Sequence, residues 1–257
     1  MNRRDHRGHR RSAVFALRCW LLGWLLFPPG CVTSPVPEPP NLTPPDWTLM
    51  EIDMQVADLS TGRQPYTVVG RADGAHPGAT VWAINLSDNG LPAWTTVAAA
   101  DGSFSVTVQS MPGDELRLSQ RQDGRRSMPV DLTLTDDYRL TLVERPPCLV
   151  VGPASSTDTV LEVDLGSVSL GSVTDWTLVV QNNCQTEQTV TALRWRTADR
   201  GFSTDRALPL PVAPGDTASF TVTLTASRPG EAEDILFIEI TEATPQRYPL
   251  TFVAHVE

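Results

Sequence analysis

The chain has 257 residues, 40% of them hydrophobic, and a formal charge of −10. All 20 basic residues are Arg against 30 acidic ones; six of the Arg and one acid lie before residue 31, so the rest carries 14 against 29, or −15. Phosphate binding needs clustered cations, so nucleic acid is excluded as a partner, and the 22 Pro and 17 Gly point to short strands and turns rather than long helices.

The opening MNRRDHRGHRR is strongly cationic and leads into an apolar stretch whose uninterrupted core runs from Cys19 to Phe27. That core is too short to span a bilayer and suits a secretory signal. Nothing after it is apolar enough to span one. In PPGCVTS, Gly30 directly before Cys31 resembles the cleavage site of bacterial lipoproteins, with Pro28 where those sites carry Leu. The resemblance implies a signal peptide over residues 1–30 and a lipid on Cys31 that anchors the chain to a membrane. With Val32 rather than Asp after the cysteine, it also implies the outer membrane, at its periplasmic face or the cell surface. The alternative is an ordinary exported protein cut elsewhere.

Cysteine arithmetic agrees with the lipid. Cys19 leaves with the signal, and acylating Cys31 leaves Cys148 and Cys184 as an even pair, expected to form a disulfide in an oxidising compartment. Two buried reduced thiols are the other possibility. Residues 31–47 are proline-rich, with Pro35, Pro37, Pro39, Pro40, Pro44 and Pro45, and are expected to form an extended tether of roughly 45 Å.

From Met50 the pattern alternates, with Met50, Ile52, Met54 and Val56 on one face. Strand-like runs follow at 66–70, 80–86, 94–98, 103–108, 115–121 and 128–135, separated by turn signals such as Asp73-Gly74, Asp101-Gly102 and Asp123-Gly124. This spacing predicts an antiparallel sandwich over residues 48–144. The wording VVGRADGAHPGATVWAINL and ADGSFSVTVQSMPGDELRL resembles bacterial Ig-like domains of exported proteins, over about residues 50–135.

A second series of strand-like runs starts at Cys148 and continues at 160–164, 175–181, 189–196, 218–225, 234–241 and 248–256, predicting a second sandwich over residues 145–257. Here VDLGSVSLGS (163–172), Asn182-Asn183 closing a strand, VAPGD (212–216) and Arg228-Pro229-Gly230 resemble the abnormal-spindle/Hydin (ASH) sandwich, a relative of the major sperm protein fold. Leu165 stands where that family has Phe. The fold class expected for the whole chain is therefore all-β: two tandem antiparallel Ig-like β-sandwiches after a signal peptide and a Pro-rich tether. The resemblance implies a scaffold or docking module.

The residues offer little for catalysis. Beyond the signal only His76 and His255 remain, one in a Pro-Gly turn and one beside the C-terminus, where a general base is poorly held. Zinc would need three or four ligands, and no such set is apparent; no metal or cofactor is expected. Asp136-Asp137 and Glu231, Glu233 and Asp234 are carboxylate clusters that could do glycosidic acid–base work, yet their setting beside turns favours solvation. Asp88-Asn89-Gly90 and Asp101-Gly102-Ser103 read as hairpin turns rather than calcium loops. Among the tryptophans, Trp82, Trp176 and Trp195 alternate with aliphatic neighbours and read as core; Trp47 and Trp94 read as more exposed and are candidate ligand contacts. The expected function is a non-enzymatic envelope lipoprotein that binds or scaffolds a protein partner or an envelope polymer. The alternatives are a sugar-binding surface module and, less favoured, a glycan-acting enzyme.

Overall fold

The computed structural model describes residues 42–53, 62–241 and 245–257; Cys31 and the signal lie outside them, as do Met54 and Val56. Among the described residues the only helical element is a single 3-10 turn, Trp47–Leu49, and everything else regular is strand. The first half supplies β1 (Met50–Asp53), β2 (Gln64–Gly70), β3 (Thr80–Asn85), β4 (Ala93–Val97), β5 (Phe104–Ser110), β6 (Glu115–Gln122), β7 (Arg125–Arg126), β8 (Val130–Leu134) and β9 (Leu140–Leu142). They form two sheets, β1-β2-β5 and β4-β3-β6-β8-β9, with β7 hairpinned onto β6. Alternation decides the layering: in β5, Phe104, Val106 and Val108 are buried while Ser105 and Thr107 are exposed. Those inward residues meet Val81, Ala83, Leu116, Leu118 and Leu132 from the facing sheet in one core.

The second half supplies β10 (Leu149–Pro153), β11 (Glu162–Val168), β12 (Val173–Asn182), β13 (Gln188–Trp195), β14 (Phe202–Thr204), β15 (Leu210–Val212), β16 (Thr217–Thr225), β17 (Gly230–Thr241) and β18 (Pro245–Val256). Its sheets run β10-β12-β16-β14 and β11-β18-β17-β13-β15. All ladders are antiparallel except β11 with β18, which is parallel and carries a bulge between Asp164 and Ser167. Gly166 sits in that bulge at φ +66°, and its N–H donates to Asp164 Oδ1 at 2.9 Å. The left-handed conformation favours glycine, which accounts for the Leu165-Gly166 pair in the sequence motif.

The core of this sandwich is aromatic, with Trp176, Phe202, Phe220, Tyr248 and Phe252 all buried. Trp195 stacks on Phe202 at 5.2 Å and meets Phe252 edge-on at 5.4 Å. Cys148 and Cys184 form a disulfide that fastens the start of β10 to the loop after β12. Asn183 N–H donates to Cys148 O across the same junction.

Two expectations are corrected. Residues 42–47, assigned to the tether, lie on the first sandwich. Leu42 is buried and bridges Ser127, and Thr43 O accepts from Gln120 Nε2 at 2.7 Å. Asp46 caps the 3-10 turn through Thr48. Trp82, read as core, is only half-buried and stands on the opposite face of β3 from Val81 and Ala83. The reason is that both faces of β3 are apolar, so alternation alone does not say which face looks into the sandwich.

Candidate functional site

The face of β3 that carries Trp82 and Ile84, continued by Leu86, turns toward the second sandwich. Ile84 and Leu86 pack against Ile235 and Phe237 of β17, whose odd-numbered side chains point away from their own core. Both sandwiches belong to one compact unit, and this small apolar cluster is the centre of the layer between them.

Arginines surround that cluster. Arg117 of β6 lies directly opposite Asp131 of β8 in the ladder and forms a two-pronged pair at 2.7 and 2.8 Å, with both side chains 2% exposed. The same guanidinium crosses to the second sandwich, donating to Pro249 O and Thr251 Oγ1, each at 2.7 Å. Arg145, in the connecting segment, adds Asp131 at 3.1 Å and Arg247 O at 3.2 Å. From the other side, Arg247 donates to Leu86 O at 2.6 Å and lies over the Phe237 ring. Arg196 donates to Leu91 O. Guanidinium groups suit this work because one fork satisfies several carbonyls or carboxylates at fixed angles.

Farther along, Arg121 binds Glu231 at 2.6 Å and Glu233, and its guanidinium lies 4.5 Å from the centre of the Trp82 ring. Arg126 pairs with Glu162 at 2.9 Å and approaches Glu231 at 3.3 Å. Burial pushes the Glu162 carboxyl up to about 7, with Arg126 opposing the rise. Burial also raises Glu231. Glu233 is more deeply buried, which works against its charge, yet Arg121 and Arg126 hold it below the ordinary carboxylate range. Of the carboxylates that offered glycosidic chemistry, Glu231 and Glu233 are thus engaged by Arg121 and Arg126 of the first sandwich, Glu231 while still 44% exposed. Asp234 is buried and shapes the loop after β13, accepting from Thr197 and Ala198.

Between these elements opens a cleft of about 450 Å³. Trp82, Ile84 and Ile235 form its apolar part, while Arg121, Arg196, Arg200, Glu231, Glu233 and Asp234 line the rest. Arg196 Nε is buried there without a hydrogen-bond partner, and burial lowers the affinity of this guanidinium for its proton.

The other sequence candidates are dispersed. Trp47 and Trp94 are both half-buried and pack against the rim of the first core. Asp136 and Asp137 are exposed; Asp137 pairs with Arg139 and accepts from Thr135, whose bond holds its carboxyl below the usual range. Asp88 and Asp101 each close their own turn, to Gly90 and Ser103 N–H at 2.9 Å. His76 and His255 are exposed. Sequence reasoning missed the layer between the sandwiches. Its signal was present in strands apolar on both faces, Val81–Leu86 and Ile235–Ile238, which need cover from two sides.

No family profile matches the chain, and no curated protein sequence does. Among solved structures it is similar to the ASH/PapD-like domain 7 of human CEP192, at TM-score 0.36 and 9% identity, covering 45% of this chain and 90% of that one. It is similar to a protein of unknown function from Porphyromonas gingivalis W83, at TM-score 0.31 and 9% identity, covering 79% and 95%. It is also similar to the D0-D1 domains of intimin, at TM-score 0.23 and 16% identity, covering 80% and 94%. From its own strands and sheets, the chain is an all-β protein whose described residues form two tandem β-sandwiches.

Proposed function

We propose that this chain is a non-catalytic envelope lipoprotein, anchored through a lipid on Cys31, whose bacterial Ig-like and ASH-like sandwiches act as one rigid module that binds or scaffolds a protein partner or an envelope polymer. The observation that carries this reading is the layer between the sandwiches. Glu231 and Glu233, two of the carboxylates weighed for catalysis, are bound by Arg121 and Arg126, which also holds Glu162, and buried Arg117 ties β6 to β18. Such a layer presents fixed surfaces, which serves recognition. The lipid and the outer-membrane address rest on the signal-like leader and Cys31.

Metabolic labelling with an alkyne fatty acid, followed by membrane fractionation, tests the anchor. Wild-type protein is expected to carry the label and sediment with membranes, and Cys31→Ala to lose both. Unlabelled wild type would sink the anchor. Protease added to intact cells, with a periplasmic control, then separates a surface module from an internal scaffold.

A further inference from the structure

We propose that the cleft between the two sandwiches is a binding site for a neutral saccharide, one or two sugar units of a larger polymer. This rests on the reading of the chain as a binding module and names the ligand class. Junctions between domains are favoured positions for ligand sites, and about 450 Å³ lies within the usual range for small-ligand pockets.

The chemistry of the lining selects the ligand. Trp82 offers an indole held in place by the Arg121 guanidinium, and beside it lie Ile84 and Ile235. A sugar ring has an apolar C–H face for such a surface and a rim of hydroxyls for polar groups. Around the indole stand three arginines and three acids, so the lining has no net charge. An anionic or cationic ligand would find no excess of the opposite sign, whereas hydroxyls use donors and acceptors equally. Arg196 brings a buried Nε with no partner, which an incoming hydroxyl oxygen would satisfy. Arg200, exposed at the rim and paired with its neighbour Asp199, adds a further donor.

A peptide fits less well. An extended peptide gains affinity by adding to a free sheet edge, but β3 is paired on both sides by β4 and β6, and β17 by β13 and β18. These two strands therefore offer side chains and no open edge; the edge strand β4 reaches the cleft only at Ala93, its first residue.

The full chain, purified in detergent, would be titrated with neutral disaccharides and trisaccharides of glucose, mannose and N-acetylglucosamine, with tryptophan fluorescence and ligand-observed saturation-transfer NMR as readouts. At least one is expected to give a saturable response with Kd of about 1 mM or tighter. Trp82→Ala should weaken it about tenfold, the equivalent of ~1.4 kcal/mol. Because Trp82→Ala also removes the platform under Arg121, Arg200→Ala on the exposed rim is the second variant; a roughly threefold loss with an unchanged unfolding midpoint is expected. Folded wild type that binds none of the sugars overturns the proposal, as does binding that both variants leave intact. Failure here with acyl labelling of Cys31 intact removes the saccharide and leaves the anchored module. Loss of the label with sugar binding retained does the reverse.

Discussion

The two sandwiches solve the same architectural problem with different materials. The second buries five aromatic rings among many aliphatic residues and adds the Cys148–Cys184 disulfide. Among the described residues the first buries two aromatic rings, Tyr66 and Phe104, and relies on small residues such as Ala75, Ala83 and Ala98. It compensates with buried polar groups. Asp114 accepts from Asn85, Arg63 and Met111 N–H, Gln120 N–H donates to Ser127 Oγ, and Arg117 grips Asp131. Apolar packing degrades gradually when a side chain is trimmed, whereas a buried polar network leaves a stranded charge when one partner goes. The first sandwich should therefore fail abruptly at a few positions.

Asp131→Ala tests this most severely. It strands Arg117, and with it the bonds to Pro249 and Thr251, and removes one carboxylate from Arg145. A loss of about 3–5 kcal/mol is expected, the usual cost of breaking one side of a buried pair. In urea, a single unfolding transition should split in two, the first sandwich melting first. Arg117→Met with Asp131→Leu, which removes both charges, should recover most of the loss. A single transition with little loss would show that the layer does not couple the halves.

The disulfide is the matching test on the other side. Cys148→Ser with Cys184→Ser opens a loop of sequence separation 36 and should cost about 3–4 kcal/mol on the chain-entropy model. Reduction of the wild type should lower the melting temperature comparably. With the layer between the sandwiches intact, the loss should lower the one transition that both share; a fall confined to the second sandwich would mean that the two unfold independently.

This contrast explains what could be read from the sequence. Period-two alternation identified the strands that have one buried face, such as β5 and β16, and the turn residues between them. It overlooked β14 and β15, at three residues each too short to show a pattern. The disulfide followed from counting cysteines. The cleft was hidden because its polar residues are arginines and glutamates, which in a linear sequence read as solvated surface, and their burial depends on a second sandwich more than a hundred positions away. Trp82 was misplaced for the same reason: its covering partner, Arg121, and the opposing Glu233 belong to other strands.

Glu162 sharpens the comparison through pH. Its side chain is 4% exposed and its carboxyl is raised from an ordinary 4.5 to about 7, burial being the larger influence and Arg126 the opposing one. A raised carboxyl binds its proton more readily in the folded state. The resulting stabilisation is fully present below pH 4.5 and is lost as pH rises through 7. Across that window the shift corresponds to about 3 kcal/mol. Glu162→Gln, neutral throughout, should flatten the fall in stability between pH 4.5 and 7 relative to wild type. Chemical denaturation at several pH values reads this directly, and parallel curves for the two proteins would refute it.

The smallest effect separates two acid clusters that look alike on paper. Asp136-Asp137 and Glu231/Glu233 both follow turn-like sequence, yet the first pair is exposed, whereas Arg121 and Arg126 from the other sandwich bind the second and leave Glu233 only partly accessible. Asp137→Asn should leave the unfolding midpoint where it was, because an exposed pair with Arg139 gains little over hydration. Glu233→Gln, partly buried between Arg121 and Arg126, should lower the unfolding free energy by about 1 kcal/mol. It should also quicken amide exchange on β6 and β17 together, since the lost pairs span both. Exchange that rises on β17 alone would place the strength of the junction in the Ile84, Leu86, Ile235 and Phe237 contact, with the ion pairs serving mainly to set the angle between the sandwiches.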